Sequence, residues 1–148
     1  NMLGTREPEI YGADSMADTM RALSDQAADL GRRIEMMQSN EEGVLVTAIQ
    51  KARGDAAAIL FNLAAYTHTS VALRDALAMF NGPKVVVHLS NNDRREAFRQ
   101  VSLTAAVSDG SIVGFGADSF RLGLDAAHRL LLRRDGAGAI RQIRGVDT

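Results

Sequence analysis

The apolar positions of this chain change period several times. Over residues 17–30 they recur at helical spacing through Met20, Leu23, Ala27 and Leu30, and Gly31 supplies a stop. Residues 33–38 alternate weakly, as a strand with one exposed face does. Ser39, Asn40, Glu41 and Glu42 form a helix-start signature ahead of Val44, Leu45, Ala48 and Ile49, and residues 53–55 end that helix. Residues 57–61 are a continuous apolar run, the mark of a strand covered on both faces. A polar stretch follows. Residues 70–80 then return to helical spacing through Val71, Leu73, Leu77 and Phe80, with Thr69 or Ser70 placed to cap. Residues 84–89 are a second buried strand, rich in valine, which runs into a polar turn and a short helical stretch around 95–99. Residues 111–116 read as a glycine-closed strand and 119–133 as a last amphipathic helix. Residues 1–12, punctuated by Gly4, Pro8 and Gly12, read as a loop, and 136–148 as a basic tail held loosely beside the core.

Strands separated by helices predict βαβ units, hence an α/β, doubly wound parallel sheet with right-handed crossovers. A helix as first element would leave one face of that sheet badly matched. A strand upstream of Asn1 would complete a five-stranded sheet of order 2-1-3-4-5, in which it would lie inside the sheet. The expected organisation is a single catalytic domain over residues 1–148, with a core of 1–134 and a basic C-terminal tail of 135–148.

Composition narrows the chemistry. A net charge of −1 argues against a general nucleic-acid binder, and the absence of cysteine removes thiolate and disulfide chemistry. The three histidines, His68, His88 and His128, have no metal-ligand spacing, and no glycine-rich phosphate loop occurs. No metal and no cofactor are therefore expected. No apolar run approaches the ~20 residues of a membrane span, so the expectation is a cytoplasmic protein that binds neither membrane nor nucleic acid. Four polar clusters follow four sheet positions: Arg6 with Tyr11, Asn62 with His68, His88 with Ser90 and Asn91, and Arg95 with Arg99. Ligands of open α/β sheets bind beyond the carboxyl ends of the strands, so these clusters should converge. Guanidinium forks suit a small hydroxylated carboxylic acid, and imidazole and phenol can move protons. Each residue also has a plainer reading: His88 ends a run of valines, where a core histidine is common, and Arg95 with Arg99 suits a solvated helix face.

Four segments, residues 1–12, 38–43, 65–75 and 87–91, resemble the type II 3-dehydroquinate dehydratases, in family order and over residues 1 to about 132. The resemblance implies a flavodoxin-like fold, trimers assembled into dodecamers, and removal of water from 3-dehydroquinate by anti elimination through an enolate, without cofactor. It places such an enzyme in the shikimate pathway of aromatic amino acid biosynthesis or in quinate catabolism. Carried over, Tyr11 is the base that takes the C2 proton, Arg6 the arginine of a lid over the site, and Arg95 the cation that lowers the tyrosine's pKa. Asn62, His68 and Arg99 hold the ring hydroxyls, and the backbone N–H groups of Leu89 and Ser90 bind the carboxylate. His88 protonates the departing hydroxyl, and Asp75 reaches a neighbouring subunit's site. One departure matters. The family usually carries glutamate two residues before the acid histidine, where this chain has Val86. Valine cannot orient or charge the imidazole, which leaves open a relative with altered substrate or weakened activity. A non-catalytic binding or assembly protein is the reading from another class.

Overall fold

The structure is a computed structural model that describes residues 16–135 and 142–148. Five parallel strands form one sheet: β1 Arg33–Gln38, β2 Ala58–Asn62, β3 Lys84–His88, β4 Gly110–Val113 and β5 Gln142–Asp147, in the order β1-β5-β2-β3-β4. The helices are α1 Met16–Asp29, α2 Glu42–Asp55, α3 Val71–Ala78 and α4 Asp118–Asp135. α1 and α4 cover one face with Leu23, Ala27, Phe120, Leu124 and Leu131, packed on Ala58, Leu60, Val85, Val87 and Ile143. α2 and α3 cover the other with Leu45, Ile49, Leu73 and Leu77, packed on Ile59, Phe61, Val86 and Val146. Gly123 lets α4 sit close, because a Cβ there would stand 2.6 Å from Leu60 Cδ1.

The doubly wound parallel α/β sheet expected from the alternation of elements is present, with the flavodoxin-like fold that the resemblance implies, and its inner slot is filled from an unexpected direction. β5 lies between β1 and β2 and pairs with both, through Ile34↔Ile143 and Met37↔Val146 on one side and Ala58↔Ile143 and Phe61↔Val146 on the other. The expectation of a loose tail therefore fails over residues 142–148. Ile143 and Val146 are fully buried. Arg144 is also buried, but its guanidinium donates to Glu35 at 3.0 Å and Asp55 at 3.1 Å. Those carboxylates let a charged residue occupy a central strand. The short helical stretch around residues 95–99 is also different: it is two 3-10 turns, Asn92–Arg94 and Ala97–Gln100.

Candidate active site

The carboxyl ends of β2, β3 and β5 gather most of the described candidates. β2 ends in Asn62, whose side-chain oxygen accepts the Ala64 N–H at 3.1 Å. That bond closes a tight turn in which Ala64 takes φ +44, a left-handed conformation costly for a residue with a Cβ. The 3-10 turn Ala64–His68 follows, and Ser70 caps α3 by accepting the Leu73 N–H at 2.9 Å. This sequence of caps aims His68 back over the end of β3. Its Nδ1 lies 2.6 Å from the Val101 carbonyl. A carbonyl can only accept, so Nδ1 carries the proton, and in the neutral ring Nε2 is left as an acceptor.

His68 and His88 stack, with ring centroids 6.5 Å apart and planes within 9°. His88, the last residue of β3, is 7% exposed, and its Nε2 has no partner among the described residues. Burial, helped by the neighbouring His68, lowers its pKa from 6.5 to about 4. Val86, on the same face of β3 one pleat earlier, is fully buried and offers no charge to offset this. The ring is neutral at pH 7. Leu89 and Ser90 follow directly, and the Ser90 hydroxyl accepts from the Arg95 guanidinium at 3.4 Å.

Arg95 and Arg99 are brought together by a residue that the sequence does not single out. Glu96 lies between them, accepting from Arg99 Nε at 2.8 Å and standing 3.6 Å from Arg95 Nε. Its carboxyl is held below the ordinary range by a bond to its own backbone and by Arg99. The Arg99 guanidinium also lies over the Phe98 ring, 5.0 Å from its centroid. Asn62, His68, His88, Leu89, Ser90, Arg95 and Arg99 thus occupy neighbouring elements at one sheet edge. Asp75 is apart from them, exposed on α3 and paired to Arg74 at 2.9 Å. Tyr11 and Arg6 lie outside the described residues. No group of three or more metal-ligating side chains occurs among the described residues, and no described helix is long and apolar enough to cross a membrane.

Two buried groups at this edge respond to pH in opposite senses. His88 is lowered, so its contribution is present above pH 6.5 and lost as pH falls from 6.5 towards 4. Asp147, at the end of β5, is raised by burial from 3.8 to about 6, so its contribution is present below pH 3.8 and lost as pH rises through 6. At about 1.4 kcal/mol per pH unit, each is worth on the order of 3 kcal/mol. The two nearly cancel between pH 4 and 6. Chemical denaturation across that range should show little change in stability for the wild type. Asp147→Asn should expose the His88 effect, losing on the order of 3 kcal/mol between pH 7 and pH 4.

Comparison with known proteins adds an independent finding. The family model for dehydroquinase class II matches residues 1–128. The 3-dehydroquinate dehydratase of Stenotrophomonas maltophilia (strain K279a) is 54% identical over 128 residues, 86% of this chain and 87% of the relative. That of Geotalea daltonii is 57% identical over 126 residues, 85% of this chain and 88% of the relative. The crystal structure of a type II dehydroquinase from Propionibacterium acnes superimposes with a TM-score of 0.82 at 34% identity, covering 86% of this chain and 88% of that one.

Proposed function

Because the chain belongs to the class II dehydroquinase family, we infer that it is a lyase that removes water from 3-dehydroquinate to give 3-dehydroshikimate. The observation that carries this reading is the match over residues 1–128, which spans every candidate residue from Arg6 to Arg99. The residue roles are those that the family resemblance implies, and the chemistry of each side chain fits its part. Tyr11 acts as phenolate and takes a proton from C2, leaving an enolate. A phenol of pKa near 10 works at neutral pH only if a close cation favours its charged form, which is the part assigned to Arg95. Glu96 holds Arg95 and Arg99 as a pair. Asn62, His68 and Arg99 hold ring hydroxyls; His68 directs its Nδ1–H at the Val101 carbonyl, which leaves Nε2 to face a hydroxyl.

The second proton comes from His88, and its low pKa sets a condition on it. A neutral imidazole is a poor proton donor. The substrate carboxylate, held by the backbone N–H groups of Leu89 and Ser90, brings a negative charge beside the ring and favours the imidazolium. The proton then passes to the departing hydroxyl, which leaves as water while the enolate collapses to the enone. The substrate supplies part of the charge that glutamate at position 86 would provide. Val86→Glu should therefore raise the His88 pKa and increase turnover several-fold. Burying a carboxylate there should also lower stability by about 1–3 kcal/mol. Turnover that stays level or falls in a folded variant would show that charging His88 does not limit the rate.

Asp75, exposed on α3, is proposed to complete a neighbouring subunit's site in a trimer-based dodecamer, with the protein acting in the cytoplasm on the shikimate or quinate route. The product identifies the reaction. Proton NMR of 3-dehydroquinate incubated with the protein should show a new vinylic proton as the C2 methylene signals disappear. An unchanged substrate spectrum would contradict the reading.

A further inference from the structure

Among the described residues, two side chains at the carboxyl ends of strands carry a buried polar atom without a partner: His88 at Nε2 and Asp147 at Oδ1. His88 has a role in the proposed chemistry. Asp147 has none, and it lies beyond the segment, residues 1–128, that the family model matches. It ends β5 in the middle of the sheet, in register with Gln38 of β1 and Asn62 of β2, and is 1% exposed. Backbone bonds fix it from both sides: the Ser39 N–H donates to the Asp147 carbonyl at 3.1 Å, and the Thr148 N–H to the Asn62 carbonyl at 3.1 Å.

The side chains continue this arrangement. The Asn62 oxygen is occupied by the Ala64 N–H, so it is the amide nitrogen that favours the ionised Asp147 carboxyl and partly offsets its burial. The adjoining strands end in the uncharged Gln38 and Asn62, and no charged side chain among the described residues acts on the carboxyl. A carboxyl with one oxygen unpartnered in a central strand is costly for the fold at neutral pH. An amide or an apolar residue would suit stability better. Buried polar groups left unsatisfied beside a ligand-binding edge point to a ligand.

We propose that Asp147 is a further residue of the substrate site, its unpartnered carboxylate oxygen accepting a hydrogen bond from a substrate hydroxyl beside Asn62. This rests on the functional reading above. It assigns part of hydroxyl recognition to a strand contributed by the C-terminal segment. The ionised form is the working one, so substrate binding weakens as the carboxyl takes up a proton.

The test is the pH dependence of kcat and KM for 3-dehydroquinate in wild type and Asp147→Asn. Wild-type KM should rise up to about tenfold between pH 7.5 and pH 5, as expected for a carboxyl titrating near 6. Asp147→Asn should have KM raised about tenfold at pH 7.5 through loss of a charged acceptor. It should lack the rise on acidification and keep kcat within about threefold. A variant with wild-type KM and an unchanged profile overturns the inference alone. Absence of product with folded wild type overturns the functional reading and this inference with it. Should Asp147→Asn not fold, wild type labelled with carboxyl-13C aspartate decides: the Asp147 midpoint should drop when 3-dehydroshikimate saturates the site. A midpoint that stays or rises overturns the inference.

Discussion

A chain ending at residue 135 should show no cooperative thermal unfolding and the circular dichroism of a largely unfolded protein. The reason lies in where β5 sits. It pairs with β1 over six residues and with β2 over five, and these two strands do not pair with each other. Its removal leaves β1 without a strand partner among the described residues and exposes an inner edge of β2. Both ladders of buried N–H and C=O groups lose their partners, each orphaned group costing about 1–3 kcal/mol. Ile143 and Val146 leave holes in both cores, one on each face of the sheet. Against a total stability of about 5–15 kcal/mol, these losses are not survivable. Arg144 and Gly145 add to the specificity of the slot. Arg144 closes on two carboxylates, and a Cβ at Gly145 would collide with Met36 Sδ. A truncated chain that unfolds cooperatively at the wild-type temperature would show that β5 does not hold the centre of the sheet.

Tyr11→Phe should lower kcat by about 10²–10⁴-fold, the usual worth of a positioned acid or base. The substitution removes only the phenolic oxygen. In the proposed site the ring hydroxyls would still be held by Asn62, His68 and Arg99, and the carboxylate by the backbone at Leu89 and Ser90, so KM should change by less than about threefold. A kcat loss at constant KM is the signature of a group that acts in the transition state rather than in binding. Stability should be unaffected. Retention of full activity by Tyr11→Phe would leave the dehydration intact and overturn the assignment of its base.

Much of this organisation is legible in the sequence because local and tertiary demands agree. The β2–turn–α3 unit reads directly: a doubly buried strand is continuously apolar, and Ser70 caps α3 as its position suggests. The weak alternation of residues 33–38 marks β1 over the same residues. β5 escapes notice because its sequence, Gln142 to Asp147, places arginine, glycine and aspartate where a central strand should be apolar. Each is justified only by residues distant in the chain. Arg144 meets Glu35 and Asp55, 109 and 89 residues away, and Gly145 makes room for Met36. Periodicity carries no record of such partners.

The candidate site divides in the same way. The clusters at the ends of β2 and β3 are visible as polar residues after apolar runs, and the structure stacks His68 on His88. Glu96 is hidden because a glutamate beside two arginines reads as a solvated surface, whereas two 3-10 turns fold it between them. The lowered pKa of His88 comes from burial and from the neighbouring His68, and Val86 supplies packing where a carboxylate would supply charge.

The central claim is that this chain converts 3-dehydroquinate to a conjugated enone with its own side chains. Purified, folded protein mixed with 3-dehydroquinate should produce a steady rise in ultraviolet absorbance from that enone, abolished in Tyr11→Phe. An absorbance that stays flat with wild-type protein at saturating substrate would contradict the account.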